Sequence, residues 1–457
     1  MSTLDQSHAK DVTGSKRTQR LLQGAVFSVG SKLVVFLGGA LSIPLTIRYL
    51  GKESFGIWTV TSTILSMLLV MDLGIANALT NFVSAAYAKD DREHASRYAT
   101  TALFLVTLLA VVMGMAGWLI FPHINWPELF HLALDSPNRV TAGRAVAASF
   151  VVFLVGLPAN LAPRILGGYQ EIKLASLFQC LGTVGNVVSI LVLIRFHAGL
   201  PALAAAAGAP LVAANLLCLA WIWSFHKPWL RPKRTHLSKE AARLMVQSGS
   251  EFFVLQIAAL VVFNSDNLVV THYLGPGEVA SYSIAWKLVS YAMLAQTLTA
   301  PALWPAYSEA FARNDLQWVR KTFARTMWLT MGVATACCAV FAVAGQWIIR
   351  LWAGPAAVPD EKLLLLMCVW TVISTFMNNT STVLVAKGET RLQAWASILS
   401  AFVNLGLSIY WVQRLGSIGV ILGTIVSYLL LLIVPQTWKV LLVLRGDAST
   451  RQSDLNQ

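Results

Sequence analysis

Twelve apolar runs divide this chain, near 22–47, 57–88, 98–121, 142–167, 174–195, 198–225, 245–271, 280–311, 323–350, 362–386, 392–413 and 417–443. Each reaches the roughly 20 residues that a helix rising 1.5 Å per residue needs to cross a bilayer. Only 12% of the residues are charged and 56% are hydrophobic. A soluble domain carries about 25% charged residues, so too little polar surface is left to cover a body of this size in water. The chain is therefore expected to be an all-α integral membrane protein with twelve transmembrane helices. Its 16 Trp suit the membrane–water boundary. Runs two and eight exceed one bilayer and are expected to project into the cytoplasm.

Charge gives the orientation. With the N-terminus inside, the inner segments hold 24 of the 34 Lys and Arg and the outer segments hold 8, while Lys32 and Lys287 fall within spans. This positive-inside bias puts both termini in the cytoplasm. The net charge of +13 is then a topology signal with attraction to anionic membrane lipids, not a nucleic-acid patch. Residues 1–21 read as a polar cytoplasmic tail, and the run after them is too long for a cleavable leader. No loop is large enough for a soluble catalytic domain. The eight His are scattered and no P-loop occurs, so an ATP-hydrolysing enzyme is not expected. The five Cys lie in apolar runs without metal-ligand spacing and read as buried thiols; no metal or other cofactor is expected.

The chain repeats itself. "RYLG" at 48 returns as "HYLG" at 272, and "AYAKDD" at 86 returns as "AFARND" at 310, both after 224 residues. Farther on the offset becomes 218: Asn160 meets Asn378, "YQEIK" at 169 meets "KGETR" at 387, and Asn186 meets Asn404. This predicts two pseudo-symmetric six-helix lobes around a central cleft. They are an N-lobe at 22–225 and a C-lobe at 244–443, joined by a basic cytoplasmic linker at 226–243 and followed by a cytoplasmic tail at 444–457. Six spans is an even number, so both lobes start inside, like parallel transporter repeats related by an axis along the membrane normal. Such lobes can rock about a cleft, which favours alternating-access transport over a static scaffold or channel.

Several of these segments also resemble a known family. "YLGKESFGIW" and "LVMDLGIANALTNFVSAAYAKDD" in the first half are similar to the opening of the polysaccharide flippases (O-antigen and exopolysaccharide, Wzx-type). "PRILGGYQEIK", "NSDNLVVTHYLGPGEVASYSIAWKL" and "PALWPAYSEAFARND" carry the likeness onward, over roughly residues 20 to 440. That family belongs to the superfamily of multidrug, oligosaccharidyl-lipid and polysaccharide exporters. The resemblance implies a two-lobed transporter moving undecaprenyl-pyrophosphate-linked oligosaccharide from the inner to the outer leaflet of the bacterial inner membrane. A polysaccharide polymerase and chain-length machinery are implied as possible partners. The rivals are a multidrug extruder or lipid II-type flippase of the same superfamily and, further off, a membrane-embedded sugar polymerase.

Polar residues at membrane depth are the candidate sites, because a charge there costs about 2.5–3.5 kcal/mol or more. Lys32 lies roughly 15 Å from the inner end of span one and Asp72 near mid-depth of span two. Asp266 lies roughly 12 Å, and Lys287 roughly 10 Å, below the second elbow. Two readings stand. Lys32 pairs with Asp72 and Asp266 with Lys287, supporting packing only; or the cations face the cleft and attract a pyrophosphate or acidic sugar. In the second reading Asp72, Glu251 or Asp266 is a carboxylate that couples transport to H⁺ or Na⁺. The flippase resemblance makes Arg164 a candidate for the lipid pyrophosphate. Asn160 and Asn378 are candidates for sugar hydroxyls or for interhelical bonds, as are Asn186, Asn404, Asn264 and Asn267. Pro44, Pro158, Pro163, Pro301 and Pro305 are expected to kink their spans.

Overall fold

The computed structural model describes residues 30–68, 72–389 and 391–445. In the first half they form α1 (Gly30–Leu50), α2 (Lys52–Leu68), α3 (Ile75–Ala88), α4 (Arg92–Ile120), α5 (Trp126–Leu129), α6 (Thr141–Ala159), α7 (Leu161–Gly168), α8 (Ile172–Arg195), α9 (Leu200–Ala206) and α10 (Ala209–Trp221). The second half holds α11 (Lys239–Leu274), α12 (Pro276–Ser290), α13 (Leu294–Ala312), α14 (Leu316–Trp352), α15 (Glu361–Lys387), α16 (Arg391–Leu415), α17 (Ser417–Tyr428) and α18 (Val434–Arg445). Among the described residues nine helical segments are long and apolar enough to cross a membrane.

Neither run two nor run eight is one continuous helix. Run two ends as α2 at Leu68 and restarts as α3 at Ile75. The Asp72 carboxylate accepts a 2.9 Å bond from the Gly74 N–H, and Leu73 and Gly74 both take positive φ. The turn thus satisfies a backbone donor that a helix break would otherwise leave open. Run eight is interrupted by a tight 3₁₀ turn at Tyr291–Met293. The longest helices are instead α11 with 36 residues and α14 with 37. Pro158 sits inside α6, which stops one residue later. The side chains of Pro301 and Pro305 lie outside the described residues.

The repeat is legible in local geometry. Gly51 and Gly275, at the two elbows, have φ of 79° and 82°. Asp90 and Asn314 share left-handed backbone at 53° and 56°. The next residue in each copy caps a helix: Asp91 accepts from the His94 N–H and Asp315 from the Trp318 N–H, at 2.9 and 3.0 Å. The His94 N–H, together with the His94 ring, holds the Asp91 carboxyl below its ordinary pKa. Gln170 and Gly388, 218 residues apart, are again left-handed. Asn186 donates to the carbonyl of Ala206, and Asn404 accepts from the hydroxyl of Thr424. Each of these bonds spans 20 residues in sequence, so both copies use an asparagine to tie one helix to the next.

By contact density the chain forms two compact units. The first comprises the chain to Leu45, Ile64–Ile124 and Gly143–Gln256. Its core runs through Leu79, Leu166, Ile222, Leu230 and Met245, all at most 1% exposed. The second comprises Thr46–Thr63, Asn125–Ala142 and the chain from Ile257. Its core includes Tyr307, Val319, Val383 and Val440. Two π-helical turns, Ile222–His226 and Leu429–Ile433, follow α10 and α17.

Candidate functional site

In the first unit two candidate polar groups, Asp72 and Asn160, make structural bonds. Asp72 caps its turn, as described. Lys32 is half-buried on α1. The Asn215 amide donates to the Asn160 side-chain oxygen at 2.9 Å, tying α10 to the break between α6 and α7. Arg164 is exposed on α7, and the Thr80 hydroxyl reaches its backbone carbonyl at 3.4 Å. Glu171, which sequence reasoning passed over, accepts from Lys227 at 2.9 Å and lies 2.7 Å from the His226 ring. The same Lys227 ammonium stands 4.2 Å from the centre of the Tyr169 ring. Glu389, 218 residues on, pairs with Lys439 at 3.2 Å.

In the second unit, Asp266 and Lys287 do not pair. The Tyr282 hydroxyl donates to Asp266 Oδ2 at 2.9 Å, while Lys287 lies 6.0 Å from the centre of the Tyr291 ring. Helical register explains this. Asp266 and Tyr282 stand eight residues either side of Leu274, at the turn between α11 and α12, so they face one another across the helical hairpin. Lys287 is five residues farther on, roughly 7 Å along the axis. The other oxygen of Asp266, Oδ1, is buried with no hydrogen-bond partner among the described residues, and Thr424 lies nearby. Beside it, the Asn267 amide donates to the Thr63 hydroxyl at 3.0 Å. The side chains of Glu251 and Asn264 lie outside the described residues.

Around these groups the first elbow packs on the second. Gly56 of α2 lies against the Pro276 backbone so closely that a Cβ would fall 1.7 Å from the carbonyl oxygen. Lys52 pairs with Glu278 at 3.3 Å. Glu53 accepts from Ser136 and, at 3.0 Å, from Asn138. His131 meets His272 edge-on, with ring centres 5.1 Å apart. The Arg48 guanidinium donates to the carbonyls of Leu351 and Trp352.

Asn378 has a different setting from its repeat partner Asn160. It is exposed on α15 and lines a cavity of about 560 Å³ that also meets α13.

Residues 21–311 match the family model described as polysaccharide biosynthesis protein, and residues 252–410 match the one described as MatE. The chain is 21% identical over 417 residues to a Salmonella typhimurium protein named for O-antigen transport, covering 88% of this chain and 91% of that one. It is also 21% identical over 416 residues to a Yersinia pseudotuberculosis protein named for O-antigen export, with coverages of 88% and 91%. An inward-facing multidrug resistance MATE family transporter of the MOP superfamily aligns with a TM-score of 0.75 at 17% identity, covering 90% of this chain and 94% of that one. At that identity the likeness is one of fold.

Proposed function

The chain belongs to the polysaccharide biosynthesis protein family, and from that premise we propose that it is a flippase. It carries undecaprenyl-pyrophosphate-linked oligosaccharide across the bacterial inner membrane for surface polysaccharide assembly. Family membership on an all-helical, membrane-length body is the observation that carries this reading. In this proposal twelve spans form two six-helix lobes with both termini in the cytoplasm, and the lobes alternate access to a cleft between them. Transport rather than catalysis is the activity. A polymerase and chain-length machinery would take up the delivered unit on the far side.

Asp266 is the proposed coupling group. It is a carboxylate at membrane depth with one oxygen held by Tyr282 and the other buried without a partner among the described residues. A proton asks for one free oxygen, whereas a sodium ion asks for a shell of them, so H⁺ suits this geometry better. Asp72 is less available, because its Oδ1 is spent on the Gly74 N–H. Lys32, Lys287 and Arg164 remain the candidates for the pyrophosphate.

The test is deletion in the native host. Loss of surface polysaccharide with build-up of its lipid-linked unit in the cytoplasmic leaflet is expected. Normal surface glycan with increased sensitivity to cationic dyes would instead favour drug export, the reading that the MatE match over residues 252–410 keeps open.

A further inference from the structure

We propose that the cavity between α13 and α15 is a subsite for an uncharged sugar ring of the transported glycan, with Gln296 and Asn378 as its amide contacts and Trp304 as its flat wall. The proposal rests on the flippase reading and adds where, and by which chemistry, the glycan is held.

The first observation is Gln296. It is only 5% exposed, it lines the cavity, and its side-chain amide has no hydrogen-bond partner among the described residues. An amide on a cavity wall offers two donors and an acceptor to whatever fills the space. A ligand with vicinal hydroxyls satisfies both kinds of site at once.

The second observation comes from the repeat. Asn160 is occupied by Asn215 in the first half. The residue 218 positions after Asn215 is Ile433, which cannot donate. Asn378 is thereby released from the interhelical bond of its counterpart and keeps only a long 3.5 Å contact with Ser374. Its amide faces the same cavity as Gln296.

Charge and shape are the third. The lining among the described residues holds neither acid nor base; Thr297, Ser381 and Thr382 add hydroxyls. A pyrophosphate calls for cations, so this is not its seat. Trp304 is 53% exposed and presents an apolar plane to the space, suited to the C–H face of a pyranose. About 560 Å³ falls within the range of small-molecule sites, which combine apolar walls with a few placed polar groups.

Equilibrium binding to the purified full chain tests this with two probes: the glycan-bearing lipid isolated from the deletion strain, and bare undecaprenyl pyrophosphate. Wild type is expected to prefer the glycan-bearing lipid by about tenfold or more, the worth of one or two well-made hydrogen bonds. Gln296→Leu, Trp304→Ala and Asn378→Ala should each reduce that preference several-fold while leaving the affinity for the bare lipid unchanged. Asn378 is exposed, so its variant keeps the test open if Gln296→Leu fails to fold. A preference that survives in Trp304→Ala and Asn378→Ala overturns the proposal, as does equal weakening of both probes, which would mean a lipid-filled or purely structural cavity. If wild type binds both probes alike, the subsite falls alone. If it binds neither, the flippase reading falls and takes the subsite with it.

Discussion

Substituting Gly56 with alanine tests whether the packed elbows separate during the cycle. A Cβ there would lie 1.7 Å from the Pro276 carbonyl oxygen and 2.4 Å from its carbonyl carbon. Ordinary contact is about 3.5 Å, so α2 and α12 must part by roughly 1.5 to 2 Å. Backbone lies on both sides, so no rotamer relieves the clash. Overpacking of this kind costs about 1–3 kcal/mol, and the rigid obstacle argues for the upper end. About 3 kcal/mol is roughly a hundredfold shift toward separated elbows. The half-exposed Lys52–Glu278 pair contributes less, about 1 kcal/mol at most, or roughly fivefold. The assay is labelling of Thr63→Cys, in a cysteine-free background, by a membrane-impermeant maleimide. Thr63 is buried two turns along α2 from Gly56 and is held by Asn267, so it reports separation. Gly56→Ala should speed labelling tens-of-fold and depress transport. Lys52→Ala should change it less than about fivefold. Gly277→Ala, with no atom within 4 Å of its new methyl, should change nothing. Unchanged labelling in a folded Gly56→Ala protein would refute the idea that this contact opens and closes.

Three further outcomes are expected. Glu171→Ala should lower thermal stability by about 2–3 kcal/mol, below the usual 3–5 for a broken buried pair because Glu171 keeps 26% of its side chain exposed; pairing it with Lys227→Met should recover part of the loss in the melting curve. Asn160→Ala should destabilise the chain by about 1–2 kcal/mol by stranding Asn215, and its repeat partner change Asn378→Ala by less than about 0.5 kcal/mol, read side by side in the same melt. Asp266→Asn should abolish the response of vesicle transport to an imposed pH gradient, and Tyr282→Phe should weaken that response while preserving uptake; an intact gradient response in Asp266→Asn would exclude that residue as the coupling group.

The helical body and the repeat were readable because they rest on local signals. The elbow glycines, the Asp91 and Asp315 caps and the left-handed Asp90 and Asn314 all recur at one offset. The break in run two falls at Asp72-Leu73-Gly74, and run length gave no sign of it, because an apolar excess looks the same whether a helix continues or turns. The Asp266–Lys287 pairing failed on register, and counting outward from Leu274 would have found Tyr282 instead. Asn160 and Asn215 are 55 residues apart, and no spacing rule joins them. Gln296 escaped notice because it is uncharged; what makes it informative is its lack of a partner, which only three dimensions reveal.

The π turns have a consequence for the winding of their helices. A π turn holds one residue more than the α turn it replaces. The two among the described residues begin 207 residues apart, whereas the surrounding repeat runs at 218. They do not occupy equivalent positions of the repeat. Removing one residue from Ile222–His226 would restore ordinary winding and rotate all that follows by about 100°. Lys227 would swing away from Glu171 and Tyr169.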